Sequence, residues 1–357
     1  IIRKAKKMAI TYNDSERSFK LDTPHSSYVF KISPTGYLLH LYYGAYVPES
    51  DLDYLRMRLI NASFSASVAS PEEKGLSLDT AAIEYPVNGS GDFRISALSI
   101  RGENGSSVTD IRYASHRIYS GKPRLEGLPA TYCNSDDEAD TLELTCRDAL
   151  TGAEVVLIYT AFTKLDAITR SVRVTNCSDK PFDIERIHSM AVDFTESDFT
   201  LMHLQGRWAK ERTLVKRPLQ FGLQGIQSKR GSSSHNNNPF IALARDGYTE
   251  ESGEVYGFSL VYSSNFEACV EVDCMRSTRV VMGINPVDFG WRLEPGESFT
   301  SPEAVMVFSD EGVGGMSRTY HKLYRYNLCR GEWKTKKRPI IINNWAGTYF
   351  HFDEEKL

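Results

Sequence analysis

The stretch Arg338-Pro339-Ile340-Ile341-Ile342-Asn343-Asn344-Trp345 decides how the rest of the chain is read. Its three consecutive isoleucines are apolar toward both faces, whereas a strand with one wet face would alternate. A run of this kind is expected in a parallel strand covered on both sides. No parallel partners follow it in the sequence, and an open isoleucine edge would invite aggregation. The expectation is therefore the first strand of an α/β barrel, with Leu357 a cut in a longer polypeptide. Phe352-Asp353-Glu354-Glu355-Lys356-Leu357 reads as the opening of the next helix, with acids in its first turn.

Upstream of that run, Met316, Tyr320, Leu323, Tyr324 and Leu328 fall at helical spacing, with Gly314-Gly315 before them and Gly331 after. Before residue 313 the pattern is one of strands. Tyr28 to Ile32 and Tyr37 to Tyr43 flank a Pro-Thr-Gly turn, which predicts a hairpin. Glu154 to Tyr159 reads as a buried strand. Ile168 to Val174 alternates, so one of its faces is expected to be solvated. Further strands are expected over Ile187 to Phe194, Val255 to Tyr262, Ala268 to Val272, Arg279 to Ile284 and Ala304 to Phe308. Leu293-Glu294-Pro295-Gly296-Glu297 is a turn, in which Pro fixes φ and Gly supplies the open conformation. Many short strands at close spacing predict packed antiparallel sheets. The fold class is therefore mainly β: a large antiparallel sandwich at 1–312, a linking helix and linker at 313–337, and the truncated start of a barrel at 338–357.

The 357 residues are 41% hydrophobic and 25% charged, ordinary globular values in a chain long enough to bury a large core. Mean hydropathy is -0.36, and no apolar run approaches a membrane span. The basic start, Ile1 to Met8, lacks the apolar stretch of a secretory signal, and Met8 is a candidate native start. Net charge is -4 with both signs interspersed, which argues against a nucleic-acid partner; the basic run Lys334 to Arg338 reads as a solvated linker. The six cysteines form no CxxC pair and the eight histidines no HExxH, so no metal site is expected. Reduced, buried thiols and a cytoplasmic setting are the expectation, and Asn-x-Ser sequons such as those at Asn61, Asn88, Asn104 and Asn176 are short enough to arise by chance.

Four polar clusters are expected in loops: Arg112 to Tyr119, Gly206 to Arg212, Gly231 to Phe240 and Gly283 to Trp291. Their Trp, His, Asn and Arg are residue types that bind sugars, because aromatic faces stack on a pyranose while amides and guanidinium groups take its hydroxyls. Loops that merely tie sheets together are the plainer reading of the same residues. Read in order, these segments resemble the N-terminal part of the α-galactosidases of glycoside hydrolase family 36. The resemblance runs from Tyr37 to Leu357. It rests on Leu41-Tyr42-Tyr43-Gly44, Glu84-Tyr85-Pro86, Val108-Thr109-Asp110 through Leu128-Pro129-Ala130-Thr131-Tyr132, Glu254-Val255-Tyr256-Gly257-Phe258 and Arg338 through Phe350.

The resemblance implies a β-supersandwich, then a (β/α)8 barrel, then a small C-terminal sheet domain. It implies retaining hydrolysis of terminal α-1,6-linked galactose from melibiose or raffinose-type oligosaccharides, by two aspartates in Lys-Trp-Asp and Gly-Gly-x-Arg-x-Asp contexts, with no metal or organic cofactor. Neither motif is present, so no catalytic residue is expected in this segment. Gly314-Gly315-Met316-Ser317-Arg318 has no matching aspartate, and Asp136-Asp137 and Glu354-Glu355 read as solvated acids.

Three substrate-binding positions are expected, two carried over from the family, Trp208 and Asn61, and one, Trp345, from its place at the end of the first barrel strand. Trp208 matches the tryptophan of the family's Gly-x-Trp-x-x-Glu-Arg loop, which there reaches over a neighbouring subunit; a packed or interface tryptophan is the alternative. Asn61 falls where the family often has aspartate, in a loop of variable length, and an ordinary surface loop is the alternative. Trp345 ends the first barrel strand, where barrel sites are built, and a packing role is the alternative. The family usually has an acidic residue and then Ala after this tryptophan, and this chain has Ala346-Gly347. The expected consequence is a roomier pocket that favours raffinose-type sugars. A homotetramer is implied by the family alone. The competing readings are a stand-alone carbohydrate-binding or structural β-sandwich, and a related retaining enzyme such as an α-N-acetylgalactosaminidase.

Overall fold

The computed structural model describes residues 8–49, 51–57, 66–68, 70–73 and 75–356. Asn61, the basic start at 1–7 and Leu357 lie outside the described residues. Four strands open the chain: β1 (Ile10–Asn13), β2 (Ser18–Asp22), β3 (Ser26–Ile32) and β4 (Leu38–Ala45). They pair in sequence as an antiparallel meander. Next come β5 (Leu98–Gly102), β6 (Ile111–Ser120), β7 (Ala139–Asp148), β8 (Ala153–Phe162), β9 (Ala167–Asn176) and β10 (Phe182–Phe194). They are followed by β11 (Phe199–Arg207), β12 (Lys210–Pro218), β13 (Gly222–Ser228), β14 (Asn237–Arg245) and β15 (Val255–Val261). The last strands are β16 (Phe266–Val272), β17 (Thr278–Ile284), β18 (Trp291–Leu293), β19 (Ser298–Thr300) and β20 (Glu303–Ser309).

Among the described residues, ten strands form the large sheet, in the order β12-β11-β14-β15-β20-β9-β8-β7-β6 with β19 beside β9. Six form a second sheet, β13-β16-β17-β10-β18 with β5 on β10. Side chains from all three sheets meet in one core. Phe30 of β3 lies 5.4 Å from Tyr159 of β8, and Met190, Val270 and Met282 of the second sheet join the same cluster. These are the packed antiparallel sheets expected from the strand pattern, and the supersandwich implied by the family resemblance.

Beyond β20 runs the helix α1 (Gly312–Asn327), so Gly314 and Gly315 lie in its first turn rather than ahead of it. Its Met316, Tyr320 and Leu323 are buried, as their spacing predicts. They cover the far face of the large sheet, where Val305 and Val307 of β20 point; Ala304, Met306 and Phe308 of the same strand point into the main core. Gly257 of β15 gives the helix its seat: a Cβ there would stand 2.6 Å from the Met316 sulfur and 2.8 Å from the Tyr320 ring. Tyr320 donates to the Val305 carbonyl at 3.0 Å and Tyr324 to the Ser259 hydroxyl at 2.7 Å, which fixes the helix lengthwise.

Three local expectations are corrected. The solvated face of β9 is absent: Thr169, Arg170 and Ser171 are all buried. Arg170 points into the main core, where acceptors wait for it, and α1 contacts β9. The cluster Arg112 to Tyr119 is a strand, β6, at the edge of the large sheet; charged side chains suit an edge because they discourage further pairing. The described residues 352–356 do not open a helix. They make a turn at 354–356, with the Lys356 N–H donating to the Asp353 carboxylate at 3.0 Å. Acids in a first turn do not repay helix nucleation when no apolar face is buried.

After α1, residues 338–344 are unpaired, and Ile340, Ile341 and Ile342 are 99%, 80% and 82% exposed. An all-apolar strand needs paired edges and two covered faces, and the described residues offer this run neither. A short helix, α2 (Trp345–Thr348), follows.

Candidate functional site

The β11–β12 hairpin is the most exposed feature with a candidate binding residue at its tip. Arg207 pairs with Lys210, so the chain reverses across Trp208 and Ala209 alone. Ala209 takes a left-handed φ of 58°, and its N–H is held by the Glu211 carboxylate at 2.9 Å. Trp208 is left 81% exposed, outside the core of its own chain. Around it stand Arg207, Lys210 and Arg212, with Glu211 the acid among them. Beneath the tip, burial and the nearby Arg217 hold the His203 imidazole below its ordinary value, so this part of β11 stays neutral.

Two further clusters converge on the base of this hairpin. The Gly206 N–H donates to the Asn236 carbonyl at 3.2 Å, and the Asn236 amide donates back to the Gly206 carbonyl at 3.2 Å. Arg230 donates to the other end of that amide, Asn236 Oδ1, at 2.8 Å. Gly206 is required by closeness: a Cβ would lie 2.7 Å from the Lys210 carbonyl and 2.9 Å from that of His235. One layer further in, the buried Asn285 amide donates to Gln227 Oε1 at 3.0 Å and to the Ser228 carbonyl at 3.2 Å. The clusters at Gly206, Gly231 and Gly283 thus share one end of the molecule.

Other candidates lie apart. Arg112 stacks over the Tyr37 ring at 3.6 Å and donates to its hydroxyl at 2.6 Å, which makes it a brace between sheets. Trp345 is half exposed, its ring 4.8 Å from that of Phe350 and 5.5 Å from that of Tyr349. Among the described residues no ring contact joins Trp345 to Trp208. Three buried carboxylates are committed to cations: Glu84 to Arg170, Asp193 to Arg279, and Glu303 to Lys122. Burial pushes the Asp193 carboxyl up, and Arg279 and Arg94 more than reverse this, leaving it below the usual range. Such a group does not serve as a general acid. Among the described residues no helix is long and apolar enough to cross a membrane.

Residues 36–294 match the model of the glycosyl hydrolase family 36 N-terminal domain, and residues 298–357 match the melibiase model. The chain belongs to glycoside hydrolase family 36. Its residues correspond to the N-terminal region of that family, which was the expectation from the motifs. It is 50% identical over 350 residues to the α-galactosidase AgaA of Geobacillus stearothermophilus, covering 98% of this chain and 48% of AgaA. It is 39% identical over 351 residues to the bifunctional α-galactosidase/sucrose kinase AgaSK of Mediterraneibacter gnavus, covering 98% of this chain and 37% of that protein. The crystal structure of AgaB from G. stearothermophilus superposes with a TM-score of 0.92 at 50% identity, over 98% of this chain and 47% of AgaB. A substituted AgaA solved in complex with raffinose gives 0.91 at 50% identity, over 95% of this chain and 47% of that one. The chain thus spans about half the length of these relatives, or less. Sequence reasoning singled out Trp208 but missed the clamp beneath it. Arg230 stands just outside the Gly231 to Phe240 cluster, and only the fold brings Asn236 to Gly206.

Proposed function

We propose that this chain is the non-catalytic front part of a retaining α-galactosidase that removes terminal α-1,6-linked galactose from melibiose and raffinose-type oligosaccharides. The observation that carries the activity is the 50% identity to AgaA over almost the whole chain. Substituted forms of AgaA have been solved with raffinose and with stachyose, which supports an oligosaccharide substrate. In this reading residues 1–312 are the supersandwich, 313–337 the link, and 338–357 the start of the catalytic barrel. Retention requires two carboxyl groups about 5–5.5 Å apart, and in this reading both belong to the barrel beyond this segment. The sandwich contributes Trp208, presented over the barrel mouth of a neighbouring subunit in a cytoplasmic homotetramer. Trp345, just after the segment read as the first barrel strand, lines the same pocket, and Asn61 adds a polar contact. No cofactor is needed, because the two carboxyl groups perform the chemistry.

The full-length protein is expected to hydrolyse p-nitrophenyl α-galactoside and to release α-galactose first, followed by proton NMR of the anomeric signal. The 357-residue chain alone is expected to show no turnover above background. Turnover by this chain alone, or β-galactose as the first product of the full-length protein, would contradict the reading.

Ala346 sits beside Trp345, and a Cβ on the next residue, Gly347, would meet nothing within 4 Å. Ala346→Glu in the full-length protein is expected to lower raffinose turnover relative to melibiose, because added bulk and charge crowd the longer sugar. An unchanged ratio would remove Ala346 from the specificity argument.

A further inference from the structure

We infer that Asn236 is the positioning residue for Trp208: it makes the last attachment between the hairpin tip and the body of the sheet. The inference rests on the substrate-facing reading of Trp208 given above and adds what holds that indole in place.

The ladder between β11 and β14 runs from Phe199↔Arg245 to His203↔Ile241, then slips at a bulge before its final pair, Gln205↔Asn237. Beyond Gln205 the paired register ends, and one main-chain bond, from the Gly206 N–H to the Asn236 carbonyl, carries on. At Gly206 the side chain of Asn236 supplies the missing half of the rung. The Asn236 main-chain carbonyl accepts from the Gly206 N–H, and the side-chain amide donates to the Gly206 carbonyl, both at 3.2 Å. The two bonds copy the reciprocal pair of an antiparallel ladder. Arg230 at 2.8 Å and the Ser234 hydroxyl at 3.2 Å both donate to Oδ1, which fixes the amide plane and aims its N–H outward.

On its other side the tip has no support from the sheet, because β12 is the edge strand. Among the described residues, the tip from Arg207 to Glu211 is held by bonds internal to the hairpin. A hairpin tethered on one flank swings about its last rung. Loss of the side-chain half of that rung leaves a single main-chain bond and therefore spreads the positions of Trp208 without unfolding anything. Asn236 and Arg230 are exposed, so removing the side chain leaves no buried group unsatisfied.

The test uses the full-length protein with raffinose as substrate and four forms: wild type, Trp208→Ala, Asn236→Ala and the double variant, with Arg230→Met as a second way to loosen the amide. Asn236→Ala is expected to raise KM by about three- to tenfold, with kcat and the thermal midpoint nearly unchanged. Arg230→Met should follow with a smaller rise. In the double variant the Asn236 change should add nothing to the loss from Trp208→Ala, since a positioning residue acts only through the residue it positions. A Trp208→Ala effect beside a wild-type Asn236→Ala would overturn the positioning role while leaving the reading of Trp208 intact. Additive losses in the double variant would also overturn it. No effect from Trp208→Ala would remove both.

Discussion

Replacing Arg170 by methionine is expected to lower the stability of the protein by about 3–5 kcal/mol, because it leaves a carboxylate buried without its cation. Glu84, on the chain between β4 and β5, has a fully buried side chain and is ion-paired with Arg170 at 3.0 Å. Tyr28 of β3 donates to it at 2.7 Å, Tyr159 of β8 at 2.7 Å, and His40 of β4 lies 3.1 Å away. Arg170 itself donates to both phenol oxygens, at 3.0 and 3.1 Å, and to the Ala191 carbonyl of β10 at 2.5 Å. The network therefore ties all three sheets together at one point.

Burial works against the Arg170 charge, but Tyr159, Tyr28 and Glu84 outweigh it, so the guanidinium stays protonated. Burial also holds both phenols far above their ordinary range, which keeps them as donors. Methionine fills most of the volume, so the expected loss reports on charge more than on a cavity. A shift on the order of 10 °C in the thermal midpoint should follow, read by circular dichroism. Glu84→Gln should be costly for the complementary reason, and the double variant should lose less than the sum of the two. Additive losses would mean that the pair is not coupled.

The strand pattern is legible in the sequence because period-two alternation is local, and α1 because Met316, Tyr320 and Leu323 recur at helical spacing. What is not legible depends on partners far away in the chain. Arg170 looks like a solvent-facing residue of β9, and only the carboxylate at Glu84, 86 residues earlier, makes its burial tolerable. β6 looks like a loop because an edge strand carries the charges of a surface segment. Ile340 to Ile342 show what they need, two covered faces, without showing where the cover comes from. The site divides in the same way. Trp208 is visible through its short motif, and the Gly206 beside it through the tight turn. Its clamp is invisible, because an exposed asparagine in an Asn-rich loop looks like any other until the fold places it on Gly206.

The most direct test of the central claim, that an exposed indole on this sheet serves the sugar site of the intact enzyme, is the KM for raffinose of full-length Trp208→Ala. Trp208 is 81% exposed, its turn is held by Glu211 and its base by Asn236, so the substitution removes an aromatic face without opening the core. A stacking or lid contact of a tryptophan that is desolvated on binding is worth about 2 kcal/mol, roughly thirtyfold in affinity. Because the contact is made to bound substrate and transition state alike, the loss should fall mainly on KM, with kcat changed much less. The account predicts a KM raised by about tenfold or more at an unchanged thermal midpoint. A KM within a factor of about two of wild type, in a variant that still assembles, would contradict it.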